Sequence, residues 1–244
     1  MTEQYVKRAD SYTKESGKIY DLIYSYKDYK GESAKIAESL KRRIKTGGNE
    51  LLEAACGTGS YLEFLQKDWD VTGFDLSEGQ IEYARTKLPD VNLQVADMID
   101  YDDGQTYDAV ICLFSSIGYL KTVEALNKTI KNFADHTKTG GVVIVEPWLK
   151  PDKFITGHVS TESQGDGNVG VTRVGVSSKR GNISVMHMHM MYSEGTSVEH
   201  YMEVHELAMY THEQLASAFE LAGLELEVDP KGLTGRGLYI GTKK

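Results

Sequence analysis

Apolar residues along the chain fall in short runs that end at glycine or acidic positions, and stripes of helical period lie between them. Residues 32–45 place Ile36, Ala37, Leu40 and Ile44 on one stripe, which predicts a helix ended by Gly47-Gly48-Asn49. Glu50 to Ala55 reads as a short buried strand and Ser60 to Lys67 as a helix. Val71 to Phe74 forms a second strand ending at Asp75, and Ser77 is the expected N-cap of a helix from Glu78 to Leu88. Val91 to Val95 is a third strand ending near Asp97, and Tyr107 to Phe114 is a fourth. A helix over 121–135 follows, and Gly140-Gly141 precedes a fifth strand from Val142 to Glu146. Such alternation predicts an α/β fold, a Rossmann-like and mostly parallel sheet with helices on both faces.

After Pro147 the pattern changes. Residues 151–210 lack helical periodicity and carry β-rich runs at Gly170 to Ser177, Ile183 to Tyr192 and Ser197 to Tyr210. They predict an antiparallel β insert lying over one side of the core. A helix over 212–222 and strands at Leu224 to Val228 and Leu238 to Gly241 then complete a seven-stranded sheet, its last two strands forming an antiparallel edge. The expectation is a single domain over 1–244 with the insert at 151–210.

Composition narrows the function classes. No apolar run approaches the roughly 20 residues that span a bilayer, and Met1 to Asp10 lacks a signal-peptide core. A membrane partner is not expected, and a cytoplasmic location is. With two cysteines, Cys56 and Cys112, neither a disulfide framework nor a Cys-based zinc site is available. The net charge of −9 and the lack of any basic cluster stronger than Lys41-Arg42-Arg43 argue against nucleic acid as partner. His187 and His189 share one strand face without a third ligand type nearby, so no metal is expected; Met186, Met188 and Met190 form the opposite face. Glu203 and His205 also share a face, pointing either to substrate or to a surface pair. Six of the fifteen tyrosines fall within the first thirty residues, and Tyr20 and Tyr24 share a helix face.

The strongest chemical signal is Glu53-Ala54-Ala55-Cys56-Gly57-Thr58-Gly59 between a strand and a helix. Glycines there let backbone approach a ligand. A dinucleotide fingerprint wants a third glycine at position 62, where Leu62 stands, so a smaller nucleoside ligand fits better. Asp75, at the next strand end, suits the two hydroxyls of a ribose. Asp97 and Met98, at the third, offer a carboxylate and a thioether to an adenine.

With these motifs the sequence resembles class I S-adenosylmethionine-dependent methyltransferases. More narrowly it is similar to the N,N-dimethyltransferases of dTDP-linked amino deoxysugars, through Ala96-Asp97-Met98, Phe114-Ser115-Ser116-Ile117-Gly118, Gly140 to Trp148 and Gly235-Arg236-Gly237-Leu238. The resemblance implies S-adenosylmethionine held by Glu53, Ala55, Gly57, Gly59, Asp75, Leu76, Asp97, Met98 and Tyr20. It implies a diphosphate met by Arg236, with Arg173 as a second candidate and Tyr24 and Trp148 on the acceptor side. Ser115, Tyr119 and Glu146 are expected to border the transfer site. Arg236 between two glycines also reads directly as an unobstructed guanidinium suited to phosphate. Members of the family carry histidine where this chain has Tyr119. A phenol is a poor base near neutrality, so catalysis by positioning, with Tyr119 as an orienting group, is expected. A methyltransferase acting on another small amine or hydroxyl stays open, as does a non-catalytic cofactor-binding module. Pairing into a homodimer is also left open.

Overall fold

The computed structural model describes residues 7–8 and 14–244. Its strands and helices are β1 (Lys7–Arg8), α1 (Lys14–Ile23), α2 (Tyr29–Lys41), β2 (Glu50–Ala54), α3 (Leu62–Leu65), β3 (Asp70–Asp75), α4 (Glu78–Lys87), β4 (Asn92–Val95), β5 (Tyr107–Cys112), α5 (Val123–Asp135), β6 (Thr137–Val145), β7 (Val159–Gly165), β8 (Val169–Arg180), β9 (Ile183–Glu194), β10 (Ser197–Ala208), α6 (His212–Leu221), β11 (Leu224–Asp229) and β12 (Leu238–Lys243). Two sheets result. The first has seven strands in the order β11-β12-β6-β5-β2-β3-β4. Strands β2 to β6 run parallel, and β12 pairs antiparallel with both β6 and β11.

Strand β5 is buried along its whole length, as the middle of a sheet covered on both faces requires. One face packs Leu52, Val110, Cys112, Val143 and Val145 against Leu126, Ile130 and Phe133 of α5 and Leu215 and Phe219 of α6. The other packs Leu51, Ala109, Ile111, Val142 and Ile144 against Ile36 and Leu40 of α2, Leu62 and Leu65 of α3 and Ile81 and Ala84 of α4. Ser77 caps α4 as its sequence position predicts, its hydroxyl accepting from the Gln80 amide. Thr211 and Gln214 form a reciprocal capping box at α6. Because strands β2, β3 and β4 run parallel, their carboxyl ends open on one edge of the sheet.

The second sheet is the insert, in the order β1-β10-β9-β8-β7. Residues 151–210 contain one strand more than the sequence pattern indicated, since the half-buried face of β7 (Val-Ser-Thr-Glu-Ser-Gln-Gly) is polar and leaves no apolar alternation to read. The N-terminal β1 joins β10 in parallel, with Lys7 opposite Tyr201. Boundaries also move: the helix read over 32–45 is α2 at Tyr29–Lys41, and β5 ends at Cys112 rather than Phe114. The helix expected over 60–67 is confined to α3, and β6 starts at Thr137 rather than Val142. The inner face of the insert, with Val171, Met190 and Tyr201, packs on Ile19 and Ile23 of α1.

Candidate active site

Between the strand ends, α1 and the insert lies a cavity of about 1200 Å³. Pockets for a single small ligand span about 300–1,000 Å³, so this one has room for more than one.

At the β2 end the chain turns through Ala55 (φ 55°), Gly57 (φ 54°) and Gly59 (φ 75°). A left-handed backbone at alanine is costly, about 1–2 kcal/mol, and is kept only where the surroundings enforce it. Ala55 and Gly57 line the cavity. Gly59 does not: a Cβ there would lie 2.6 Å from Leu88 Cδ1, so this glycine serves the packing of the turn on α4 rather than the cavity. Asp75 braces the turn, one carboxylate oxygen accepting from the Gly57 amide at 2.8 Å and the other from Ser77 at 2.9 Å. Burial raises its pKa, and the amides of Ser77, Gly57 and Leu76 oppose the rise. A carboxylate has about four acceptor sites, so capacity remains for a ligand beside the three amides.

Glu53 is 2% exposed, and its Oε2 has no hydrogen-bond partner. Burial pushes its carboxyl well above the usual range, and the neighbouring Asp75 adds to the rise. A buried acceptor left unsatisfied beside a cavity is matched by a cationic or N–H-bearing ligand. Leu76, 70% exposed after Asp75, Asp97, whose Oδ1 accepts from the Ile99 amide at 2.9 Å, and Met98 complete this end.

The cover comes from α1 and the segment after it. Tyr20 and Tyr24 line the cavity with ring centroids 4.6 Å apart, and Tyr24 stands edge-on to Phe114 at 5.2 Å. Asp21 of α1 accepts from the Thr58 hydroxyl at 2.6 Å and pairs with Lys87 at 2.5 Å, tying α1 to the glycine turn. No local sequence signal marks Asp21, because both partners lie more than thirty residues away. Lys27 pairs with Glu32 beneath the Phe114 ring, its Nζ 4.6 Å from the centroid. Of the N-terminal tyrosines, Tyr5 and Tyr12 lie outside the described residues.

After β5, the sheet neighbour of β2, Phe114 (φ 51°) and Ser115 (φ 68°) form a second left-handed turn. Two side chains hold it. Glu146 Oε2 accepts from the Phe114 amide at 2.9 Å, and the Ser115 hydroxyl donates to the Pro147 carbonyl at 2.9 Å. Glu146 is fully buried and does not line the cavity; its other oxygen accepts from the Thr234 hydroxyl at 2.8 Å. It therefore braces the β5 turn against the loop that carries Arg236. Burial is the main influence on its carboxyl and raises the pKa. Arg236 donates to Ser115 Oγ at 2.8 Å and lies over Trp148 at 4.6 Å. Trp148 is fixed in turn by donating from Nε1 to Ser184 of the insert at 2.9 Å. Arg173 reaches in from β8, donating to the Tyr24 hydroxyl at 2.7 Å; it is 8% exposed and its Nε is unpartnered. Tyr119 lines the cavity beside Ser115 and Ser116. Met186, Met188 and Met190 line it from β9, as their strand face requires. His189 instead contacts His200 at 3.3 Å, and among the described residues no group of three or more His, Cys, Asp or Glu converges.

Residues 51–141, which hold the glycine turn and both acidic strand ends, match the methyltransferase domain family. The chain is 40% identical over 228 residues, 91% of its length, to dTDP-3-amino-3,4,6-trideoxy-alpha-D-glucopyranose N,N-dimethyltransferase of Streptomyces venezuelae, covering 95% of that protein. The chain belongs to the class I S-adenosylmethionine-dependent methyltransferases, in the group of dTDP-amino-sugar N,N-dimethyltransferases. Solved structures of this N-methyltransferase group share its shape. The crystal structure of Streptomyces venezuelae DesVI superposes with a TM-score of 0.89 at 38% identity, over 93% of this chain and 98% of that one. An S-adenosylmethionine-bound amino pentose methyltransferase from Micromonospora echinaspora superposes with a TM-score of 0.84 at 31% identity, over 93% and 97%. The methyltransferase uses S-adenosylmethionine to methylate the amino group of a sugar. The unpartnered Glu53 acceptor, the open Gly57 turn and Asp75 fit such a cofactor, which carries both an ammonium and a ribose.

Proposed function

We propose that the acceptor is a dTDP-linked amino deoxysugar and that its nitrogen is methylated twice. The observation that carries this reading is Arg236, held on the cavity wall by Ser115 of the turn after β5 and by Trp148. A chain of net charge −9 repels an anionic nucleotide, so local cations must capture it. Among the described residues, Arg236 and Arg173 are the arginines that line the cavity. We assign Arg236 to the diphosphate, with Arg173, Tyr24 and Trp148 on the same side, and the insert to the acceptor wall of a single domain.

We assign the cofactor to Glu53, Ala55, Gly57, Asp75, Leu76, Asp97, Met98 and Tyr20. When bound, it supplies a methyl group on a sulfonium, already activated for transfer. The chain's own tasks are then to align an amine lone pair, to exclude water and to dispose of a proton. Alignment alone is worth roughly 7–11 kcal/mol in ideal cases. Tyr20 and Tyr24 cover the site, and Tyr119 orients the amine. Ser115 and Glu146 act through Arg236 and the β5 turn.

Two features of the surroundings follow the same reading. Val174, Val176, Met191, Val198 and Val204 are exposed together on the outer face of the insert, where we assign a homodimer contact. No described helix is long and apolar enough to cross a membrane, and both cysteines are buried and free, which supports a cytoplasmic assignment. The test of the acceptor is a turnover screen pairing each amino sugar with its dTDP-linked form. Transfer confined to the nucleotide-linked forms is expected. Equal transfer to the free sugars would remove the diphosphate from the account.

A further inference from the structure

Amine methylation needs a free lone pair, and a sugar amine near neutrality is largely protonated. The ammonium must lose a proton before the first transfer, and the methylammonium product must lose one before a second. At the cavity wall Tyr119 Oη lies 2.7 Å from Nδ1 of His205, and Nε2 of the same ring lies 3.1 Å from Glu203 Oε2. All three residues line the cavity. The His205 and Glu203 side chains are only 10% and 14% exposed.

The chemistry of the partners fixes the proton positions. A carboxylate only accepts, so His205 Nε2 carries the hydrogen that faces Glu203. In the neutral ring Nδ1 is then the acceptor, and the Tyr119 hydroxyl donates to it. A phenol oxygen can accept a hydrogen bond while its hydroxyl donates one. The three side chains come from two elements, the turn after β5 and strand β10, so the insert brings a base to a position where the core offers only a phenol.

We infer that Tyr119, His205 and Glu203 form a proton relay that deprotonates the acceptor amine. The inference rests on the assignment of Tyr119 to the amine site. One N–H bond of the ammonium breaks as its proton passes to Tyr119 Oη. The phenolic proton moves in the same step to His205 Nδ1, leaving a neutral amine, a neutral phenol and an imidazolium. The Glu203 carboxylate stabilises that imidazolium, and the ring returns its proton to water after transfer. Tyr119 is the residue that touches the amine; His205 and Glu203 act through it. Other titratable and charged groups in the cavity lining include Tyr201 on the same strand, Arg173 on β8, His158 and Lys153 ahead of β7, Arg236, and the acids Glu53, Asp75, Glu78 and Asp97 at the strand ends.

The test uses the full chain with an amino-sugar nucleotide that the wild type methylates; that turnover is the control for the functional assignment itself. His205→Phe keeps the bulk of the ring and removes its proton acceptor. We expect kcat to fall about 100-fold or more, the usual scale for losing a positioned base, with KM nearly unchanged. The acidic limb of the rate profile moves to higher pH, toward the amine's own titration. Tyr119→Phe gives a similar loss, and the double variant is no worse than either single one, as members of one relay require. Tyr119→His in the His205→Phe background restores activity by placing an imidazole directly on the cavity wall. Unchanged kcat in His205→Phe overturns the relay. So does a loss of activity with an unshifted pH profile and no rescue, the signature of a merely structural role. Both results leave the sugar-methylating activity standing.

Discussion

Replacing Arg236 by alanine tests how the acceptor is anchored. The guanidinium is fixed from two sides, by its 2.8 Å bond to Ser115 Oγ and by the Trp148 face at 4.6 Å. Its remaining N–H groups are therefore pre-oriented, and little side-chain entropy is lost when they meet phosphate oxygens. A hydrogen bond to a charged group contributes about 1.5–3 kcal/mol. In this partly covered position about 2–3 kcal/mol is expected, which is roughly a 30- to 150-fold rise in the acceptor KM. Lysine keeps the charge but loses the planar fork and the stacking on Trp148, so Arg236→Lys recovers only part of the loss. The assay is steady-state kinetics with the nucleotide sugar varied at saturating cofactor, beside calorimetry of cofactor binding. Cofactor affinity stays near wild type. An alanine variant with normal acceptor KM and weakened S-adenosylmethionine binding would refute the reasoning and move Arg236 to the cofactor site.

Asp75→Ala removes the acid expected to accept the ribose hydroxyls and should weaken S-adenosylmethionine binding by about 1.5–3 kcal/mol, measured by calorimetry on folded protein; unchanged affinity counts against the assignment. Glu53 carries a raised pKa through burial and the Asp75 charge, so it favours the protonated form, whereas a cationic ligand favours the carboxylate. Cofactor affinity should therefore increase with pH in the wild type and lose that dependence in Glu53→Gln. The same shift sets the sign for stability without ligand. The folded state holds the Glu53 proton more tightly than the unfolded chain, so this residue destabilises progressively as pH rises above the unfolded value. The advantage of Glu53→Gln in thermal unfolding should accordingly grow from pH 5 to pH 8 on this argument, and a constant difference would contradict it. Exhaustive chelation should leave turnover unaltered; activity lost and then restored by a divalent metal would show a ligand set that the His187 and His189 faces do not reveal.

The parallel core was legible because its strands are buried on both faces and end at residues with distinctive chemistry. Glycines 57 and 59, Asp75 and Asp97 all stand where strands stop, and a strand end is something an apolar run reveals. Strand β7 has no apolar alternation because it lies at the edge of the insert and its half-buried face carries Ser160, Glu162 and Gln164. Glu146 was expected beside the transfer site, and only the three-dimensional arrangement turns its carboxylate away from the cavity, toward the Phe114 amide and Thr234. Gly59 looked like a ligand-binding glycine for the same reason as Gly57, yet the two differ in what a Cβ would meet. At Gly57 the nearest atom is 3.9 Å away, and at Gly59 it is 2.6 Å. The shared face of Glu203 and His205 was visible in the alternation of β10. Their meeting with Tyr119 was not, because 86 residues separate Tyr119 from His205 and the pairing depends on how the insert folds back over the core.

The account stands most directly on where the methyl group goes. Incubation with S-adenosylmethionine carrying a deuterated methyl, followed by mass and NMR analysis of a dTDP-linked amino deoxysugar, locates it. The predicted product carries the label on the sugar nitrogen, first once and then twice. Label on a hydroxyl oxygen, or transfer to an amine without a nucleotide in preference to every dTDP-linked sugar, would contradict the account.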